Sequence, residues 1–468
     1  MSARTPLLVL AALSLGGCVN LAPTYQRPPI PAPAVVANSY GPAAPAQAPQ
    51  PWRAFFGDPR LVRVVSQGLA NNRDLSAAVA NVEIARAGWL TQRAQLLPSL
   101  SAQAGASYSH TPASVALGTP TPGGLDEHIY TAELAVPSYE LDLFGRLRNL
   151  TQAAREQYLA SGAARDAAQV SLVGQLAQAW LTIGADRSLL AIARDTVTET
   201  AASQSLTEAK LARGEAARSD VDQARGLAAQ ARYDVGRYET QLAQDKDALD
   251  LLAGAPVADA LLPTGIDDEA KVMGELPTGV GSSVLLGRPD VVEAEDQLKG
   301  ANADIGAARA AFFPQITLTG AGGLTSIALS SLFSAGASTW SFAPQLTAPI
   351  FDAGKNRAGL IQARGQRDLA QANYEKAIQT AFREVADALA QRARIDEELS
   401  AQEAMVAADA DAVQLVEAQY RAGTASYLNV LVAQGTLYAA QQTLASTRLL
   451  KAANLVSLYQ ALGGGLGS

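Results

Sequence analysis

The chain has 468 residues, of which 48% are hydrophobic and 17% charged, with a formal net charge of −8 and a single cysteine. This length suits two or three domains, and an acidic balance without a basic stripe argues against a nucleic-acid partner. One cysteine excludes an internal disulfide, and two histidines leave no Cys/His cluster for a metal.

Residues 1–17 read as a signal peptide, with Arg4 as the positive start and Leu7 to Leu15 as the apolar stretch. The run is too short to span a bilayer permanently. It ends in Leu15-Gly16-Gly17-Cys18, which resembles a bacterial lipobox. Cys18 is therefore expected to carry a thioether-linked lipid after cleavage, and Val19 behind it favours outer-membrane sorting by the same resemblance. Acyl chains contribute about 0.8 kcal/mol per buried CH₂, enough for several to anchor firmly. Residues 18–55 form an acylated tether. Nine prolines between positions 23 and 51 predict an extended, semi-rigid segment that holds Cys18 well away from the folded body.

A first repeat, 56–254, opens with helical periodicity from Phe56 to Ala94, broken at Asn71-Asn72-Arg73-Asp74. Asp58-Pro59 supplies an N-cap followed by proline at the first helical position. After Pro98 the pattern changes to period two. Leu100, Ala102, Ala104, Ala106 and Tyr108 alternate with serine, glutamine and glycine, and Ile129–Leu141 returns with Tyr130, Ala132, Leu134 and Val136 on one face. The loop Thr111–Glu127 is rich in Pro, Gly and Thr. His110 and His128 flank it and are read as solvated loop ends rather than a metal site. A proline-free stretch then runs from Gly145 and breaks at Gly214, followed by a return arm at 215–253.

Residues 255–287, with three prolines, read as a connector. A second repeat, 288–463, follows, with a tail at 464–468. It begins with a helix from Arg288-Pro289-Asp290 to Ala311 and a hairpin of Gln315–Leu324 and Thr339–Phe351. Trp340 and Phe342 sit near a strand end, as interfacial aromatics do in membrane barrels. Gly354 and Gly423 bound the second long arm, and both lie 209 residues beyond Gly145 and Gly214. Each first arm holds 68 residues, roughly 100 Å as helix. Alanine-rich faces such as Ala153, Ala154, Ala160, Ala163 and Ala164 favour close helix approach in a curved helix sheet. Strands with small apolar residues on one face and Ser/Gln on the other fit a wall between lipid and water. Four strands close no barrel in one chain, so the repeat implies an oligomer.

With these elements in order, the chain resembles the TolC-type outer membrane factors, and most of all their NodT/OprM-like efflux lipoproteins. The residues that carry the resemblance are Cys18-Val19-Asn20-Leu21-Ala22-Pro23-Thr24-Tyr25, Phe56-Gly57-Asp58-Pro59, Arg288-Pro289-Asp290, Phe313-Pro314, Tyr420-Arg421-Ala422-Gly423 and Tyr459-Gln460-Ala461-Leu462-Gly463. The resemblance implies an α+β membrane protein with an internal tandem repeat. Three chains pool four strands each into a twelve-stranded β-barrel, and their long helices form a periplasmic α-helical barrel. It implies a homotrimer in outer-membrane lipid, lipid-anchored and reaching into the periplasm of a Gram-negative bacterium. Its partners are a periplasmic adaptor (membrane fusion) protein and an inner-membrane resistance-nodulation-division (RND) pump. No cofactor is implied.

The same resemblance places a closable gate at the periplasmic tip. Tyr420 and Arg421 sit just before the second turn, and Asp220 lies on the turn of the neighbouring helix pair. Asp220 either accepts hydrogen bonds from that segment as a lock or serves as a solvated helix-start acid favoured by the dipole. Leu428 and Val432, one helical turn apart, are expected to form an apolar constriction. Many family members carry aspartates where this chain has Asn429 and Val432, so a cation-binding acidic ring is not expected here. The implied function is the passive exit duct of a tripartite efflux system for small molecules. An outer-membrane factor for type I protein secretion is the alternative. A trimeric adhesin is disfavoured because two hairpins lie split by about 170 residues of helix. No nucleophile–base set, paired catalytic carboxylates or phosphate-binding glycine loop points to an enzyme.

Overall fold

The computed structural model describes residues 19–31, 50–112, 124–266, 273–274 and 282–465. Cys18, its signal peptide and the middle of the Thr111–Glu127 loop thus lie outside the described residues. In chain order the elements are α1 (Trp52–Phe55), α2 (Pro59–Asn71), α3 (Arg73–Ala94), β1 (Ser101–Thr111), β2 (Leu125–Leu141), α4 (Arg146–Ala212), α5 (Arg218–Ala253), α6 (Pro289–Ala310), β3 (Gln315–Ser326), β4 (Ser338–Thr347), α7 (Lys355–Arg421) and α8 (Tyr427–Ala461). No described helix is long and apolar enough to cross a membrane. The expected break near Asn71 falls at Asn72, whose extended backbone separates α2 from α3. Its side chain accepts from Leu75 N and donates to Leu252 O. The chain divides into two compact units, one of Met1–Pro28, Val82–Ser161 and Ala294–Asn373, the other of Pro29–Asn81, Gly162–Glu293 and Tyr374–Ser468.

The first unit holds one antiparallel sheet in the order β1-β2-β3-β4. Residues directly opposite in a ladder share a face. The register therefore aligns Ala104 with Ala132, Ala132 with Leu324, Leu134 with Gly322, Gly322 with Trp340 and Gly320 with Phe342. One face is apolar across all four strands, and the other carries Gln103, Thr131, Thr317, Ser341 and Gln345. The alternation in β2 would fail beyond Pro137, because Tyr139 and Leu141 have the wrong parity. A register shift between Val136 and Tyr139 corrects it: Val136 faces Gly320 and Tyr139 faces Leu318, so one extra residue sits in β2. Such a bulge returns side chains to the proper face and accommodates a proline that has no N–H to donate. Gly323 serves close strand approach, since an added Cβ would lie 2.3 Å from Ala132 O. Trp340, at 81% exposure, and Phe342 stand open on the apolar face.

The described start of the Pro-rich segment is held to the body rather than free of it. Residues 19–27 lie bonded along α6 and to the turn before α4. Val19 N donates to Leu143 O at 3.1 Å, Arg309 to Leu21 O at 2.9 Å and Asn302 to Pro23 O at 2.7 Å. Arg27 then grips Glu295 with two bonds of 2.8 and 2.7 Å, and Tyr25 donates to the same carboxylate. Glu295 is 5% exposed. Burial pushes its carboxyl up, but the hydrogen bond from Arg27 and the charge of Lys299 outweigh it and hold it below the usual range. Gly306 permits the approach, since a Cβ there would lie 2.8 Å from the Ala22 Cα. The extended backbone serves here as a strap, because its carbonyls and Arg27 find partners on a helix far along the chain.

The second unit packs α-helices around Trp180, Leu176, Leu181, Leu249 and Tyr459, all close to fully buried. Trp180 Nε1 donates to Leu261 O at 2.8 Å and pins part of the connector. Two resemblance-bearing motifs meet here. Arg288 pairs with Asp290 and Glu384, each at 2.8 Å, and donates to Ala461 O at 2.7 Å. Asp58, whose motif supplied the N-cap, accepts from Arg60 N at 2.6 Å.

Candidate gate at the two helical turns

The turns after α4 and α7 have the same construction. Gly214 (φ +75°) and Gly423 (φ +76°) adopt the left-handed conformation that glycine reaches at least cost. Beyond each, an N–H reaches back five residues: Glu215 N to Lys210 O and Thr424 N to Gln419 O, both 2.9 Å. This arrangement satisfies carbonyls that a helix end otherwise leaves open.

The side chains differ. Lys210, at the end of α4, donates to Tyr420 O at 2.6 Å and lies 3.9 Å from the Tyr420 ring centroid. Tyr420 is buried, and its hydroxyl donates to Thr207 Oγ1 at 3.3 Å. Tyr427, the first residue of α8, packs 5.5 Å from the Tyr420 ring and accepts from Ser203. Ala224 and Val430 complete this cluster. Burial first, then the charge of nearby Tyr420, Asp220 and Glu417, push the Tyr427 hydroxyl up, so it stays protonated at neutral pH.

Within one chain the expected lock residues do not meet. Asp220 accepts from Ala217 N at 3.0 Å and caps its own helix. Arg421 pairs with Glu417 on α7 at 2.8 Å, and Tyr420 is engaged as above. This is the helix-start geometry, in which a carboxylate satisfies an orphan N–H in the first turn. Asn429, 209 residues beyond Asp220, occupies the matching place in α8, and its N–H donates to Ser426 O. Leu428 and Val432 are 50% and 59% exposed, on one face of α8. Cys18 lies outside the described residues. The two histidines part company: His110 Nδ1 is 2.7 Å from Asp126, while the His128 ring meets Tyr108 edge-on at 5.1 Å.

Sequence reading missed Lys210, Thr207 and Tyr427, which tie the second turn to α4. It also missed the exposed stripe of α8. Leu428, Val432, Thr436, Ala439, Thr443 and Ser446 follow at helical spacing, all exposed and none charged. The hydroxyls of Thr436, Thr443 and Ser446 donate to carbonyls four residues earlier, which reduces their demand for water. A usable signal was present: no charged residue occurs from Tyr427 to Thr447.

Known proteins share this architecture. The family model described as outer membrane efflux protein matches residues 64–255 and 280–464. The probable efflux pump outer membrane protein TtgC of Pseudomonas putida is 43% identical over 464 residues, spanning 98% of this chain and 95% of its own. Outer membrane protein OprJ of Pseudomonas aeruginosa is 40% identical over 462 residues, with 98% and 95% covered. A solved structure of CusC superposes with a TM-score of 0.85 at 38% identity, covering 95% of this chain and all of that one. The open state of the Neisseria gonorrhoeae MtrE outer membrane channel gives 0.85 at 35%, covering 96% and 98%. With the family model covering most of the chain in two segments, and with relatives this similar along nearly the whole length, the chain belongs to the outer membrane efflux protein family.

Proposed function

We propose that this outer-membrane protein is the exit duct of a tripartite efflux system, passively conducting small molecules handed over by a periplasmic adaptor and an inner-membrane RND-type pump. The observation that carries this reading is the sheet. Its apolar face is continuous over four strands, and β1 and β4 leave both edges unpaired within the chain. Exposed edges are normally covered or closed. Three copies joined edge to edge make a closed twelve-stranded barrel with the apolar face toward lipid, a form that satisfies every backbone group in the bilayer. The uncharged stripe of α8 lines the narrow end of the duct, with Leu428 and Val432 as its constriction and Asn429 beside them. Across chains, Asp220 faces the Tyr420/Arg421 turn of its neighbour. Cys18 carries the lipid anchor.

Names of relatives point to toluene, solvents and antibiotics as their cargo. Small apolar compounds of that kind are the cargo class proposed here, since an uncharged passage offers them no desolvated charge to cross. Cross-linking of the purified full-length protein, read beside conductance in planar bilayers, tests the proposal. Three cross-linked chains with discrete conductance steps are expected. A monomer without conductance overturns it.

A further inference from the structure

The two repeats treat the foot of the sheet differently. In the first, the chain leaves β2 through Glu140, Leu141 and Asp142 and enters α4 at Arg146. Arg146 forms a two-pronged pair with Glu140, with one bond of 2.8 Å, and Arg148 pairs with Asp142 at 3.2 Å. Phe144 is stacked on Phe313 at 4.6 Å. The cations are neutralised and the aromatic is covered. Val19, the neighbour of Cys18, is bonded to Leu143 at this same foot.

The second foot keeps the cations and loses their partner. Lys355 and Arg357 stand 209 residues beyond Arg146 and Arg148, and both are exposed. Pro349 falls where Glu140 stands. Asp352 lies beside them in the sequence. It caps α7 by accepting from Gly354 N and Asn356 N, each at 2.9 Å, and offsets part of the Lys355 charge. Neither cation has an ion-pair partner among the described residues. Beside them Ile350 and Phe351 are 94% and 89% exposed. An aliphatic and an aromatic side chain next to unpaired cations, just where strands end, match the boundary between acyl chains and phosphates.

We infer that the foot of the second repeat is a binding site for an anionic phospholipid headgroup, with Ile350 and Phe351 set among the acyl chains and Lys355 and Arg357 on the phosphate. The inference rests on the sheet crossing the outer membrane. Each chain then has two proposed lipid attachments, the acyl group on Cys18 and this headgroup contact. Both cations stand in the first turn of α7, and the long arms of lysine and arginine reach along the apolar surface toward a phosphate.

The test is native mass spectrometry of the purified full-length protein, titrated in parallel with phosphatidylglycerol and phosphatidylcholine. The wild type is expected to retain phosphatidylglycerol in preference, by about tenfold. Removing each cation should weaken retention roughly fivefold, so the double variant Lys355→Gln/Arg357→Gln loses the preference. Pro349→Glu recreates the first foot's acid and should cost about fivefold by pairing Lys355. Arg394→Gln, the same charge change at an exposed helical site, should have no effect. Equal retention of the two lipids by the wild type overturns the inference, as does undiminished retention by the double variant. If instead Phe351→Ser breaks the oligomer while lipid retention per chain is unchanged, a second copy covers this face and the inference also fails. Conductance recorded on the same samples separates these outcomes from failure of the duct reading, which loses conductance in the wild type.

Discussion

Helices α5 and α8 each follow a 67-residue helix and a glycine turn, yet α5 carries twelve charged side chains between Arg218 and Ala253 and α8 carries two between Tyr427 and Ala461. The contrast holds position by position. Asp220 becomes Asn429 and Asp245 becomes Asn454 at the 209-residue offset, and Asp186 on α4 becomes the buried Ile395 on α7. The two helices share a backbone plan but not their surroundings: one return helix meets water and other charges, the other presents an uncharged stripe. The difference teaches that equivalent folds within a chain do not imply equivalent faces.

The largest effect is expected from erasing this contrast at the proposed constriction. An apolar ring blocks ions by dewetting without a bound charge, so the wild-type channel should resist block by divalent and trivalent cations. Val432→Asp places a carboxylate on each copy, and their mutual repulsion favours a bound multivalent cation. Block lowering conductance by about tenfold or more at millimolar cation is expected in planar bilayers. Strong block of the wild type, removed by mutating some other acid, would show that the constriction lies elsewhere.

Next in size is the strap of residues 21–27 along α6. Arg27→Ala leaves the buried Glu295 without its main partner and should destabilise the strap by about 1–3 kcal/mol. Faster proteolysis near residues 19–31 is the readout. The pH dependence has a definite sign. Glu295 is held below the ordinary carboxylate range, so its contribution is full above that range and is lost as pH falls through the depressed value. A strap equally protected at neutral and strongly acidic pH contradicts this.

A smaller effect concerns Asp186 and Asp245. Burial first, then a hydrogen bond and repulsion from Asp245, push the Asp186 carboxyl up to about 7. The folded state therefore binds the extra proton, and stability falls as pH rises from the ordinary aspartate range to about 7. Asp245→Asn copies the second repeat. After discounting for solvent at this half-buried pair, it should stabilise by about 1–2 kcal/mol at pH 8 and leave stability unchanged near pH 4. Thermal melting at the two pH values decides the matter.

The smallest effects belong to the turns. Tyr420→Phe removes one hydroxyl bond to Thr207, worth about 1 kcal/mol. Asp220→Ala removes a helix-start contact worth about 0.5–2 kcal/mol. Each should raise single-channel conductance modestly without full opening. If Tyr420→Phe acts and Asp220→Ala does not, Asp220 is a cap alone and the proposed lock between chains is wrong.

Signals confined to neighbouring residues carried most of the local structure. Period-two alternation placed both hairpins, four glycines at a 209-residue offset bounded the long helices, and Asp58-Pro59 began a helix where its cap geometry required. These features depend on backbone preference and on which face of a strand or helix is apolar, so a linear reading captures them. The pairing of β2 with β3 did not follow from the sequence, since any two of four alternating strands satisfy the same pattern. Nor did the bulge at Pro137, which matters only once β2 must match the face of β3. Proline-rich composition said nothing of the helix that residues 21–27 meet. The alternatives for Asp220 are likewise chemically equal along the chain, because a carboxylate serves a cap or a lock through the same oxygens. Tertiary structure decided these points, through which donors and acceptors it brought within bonding distance.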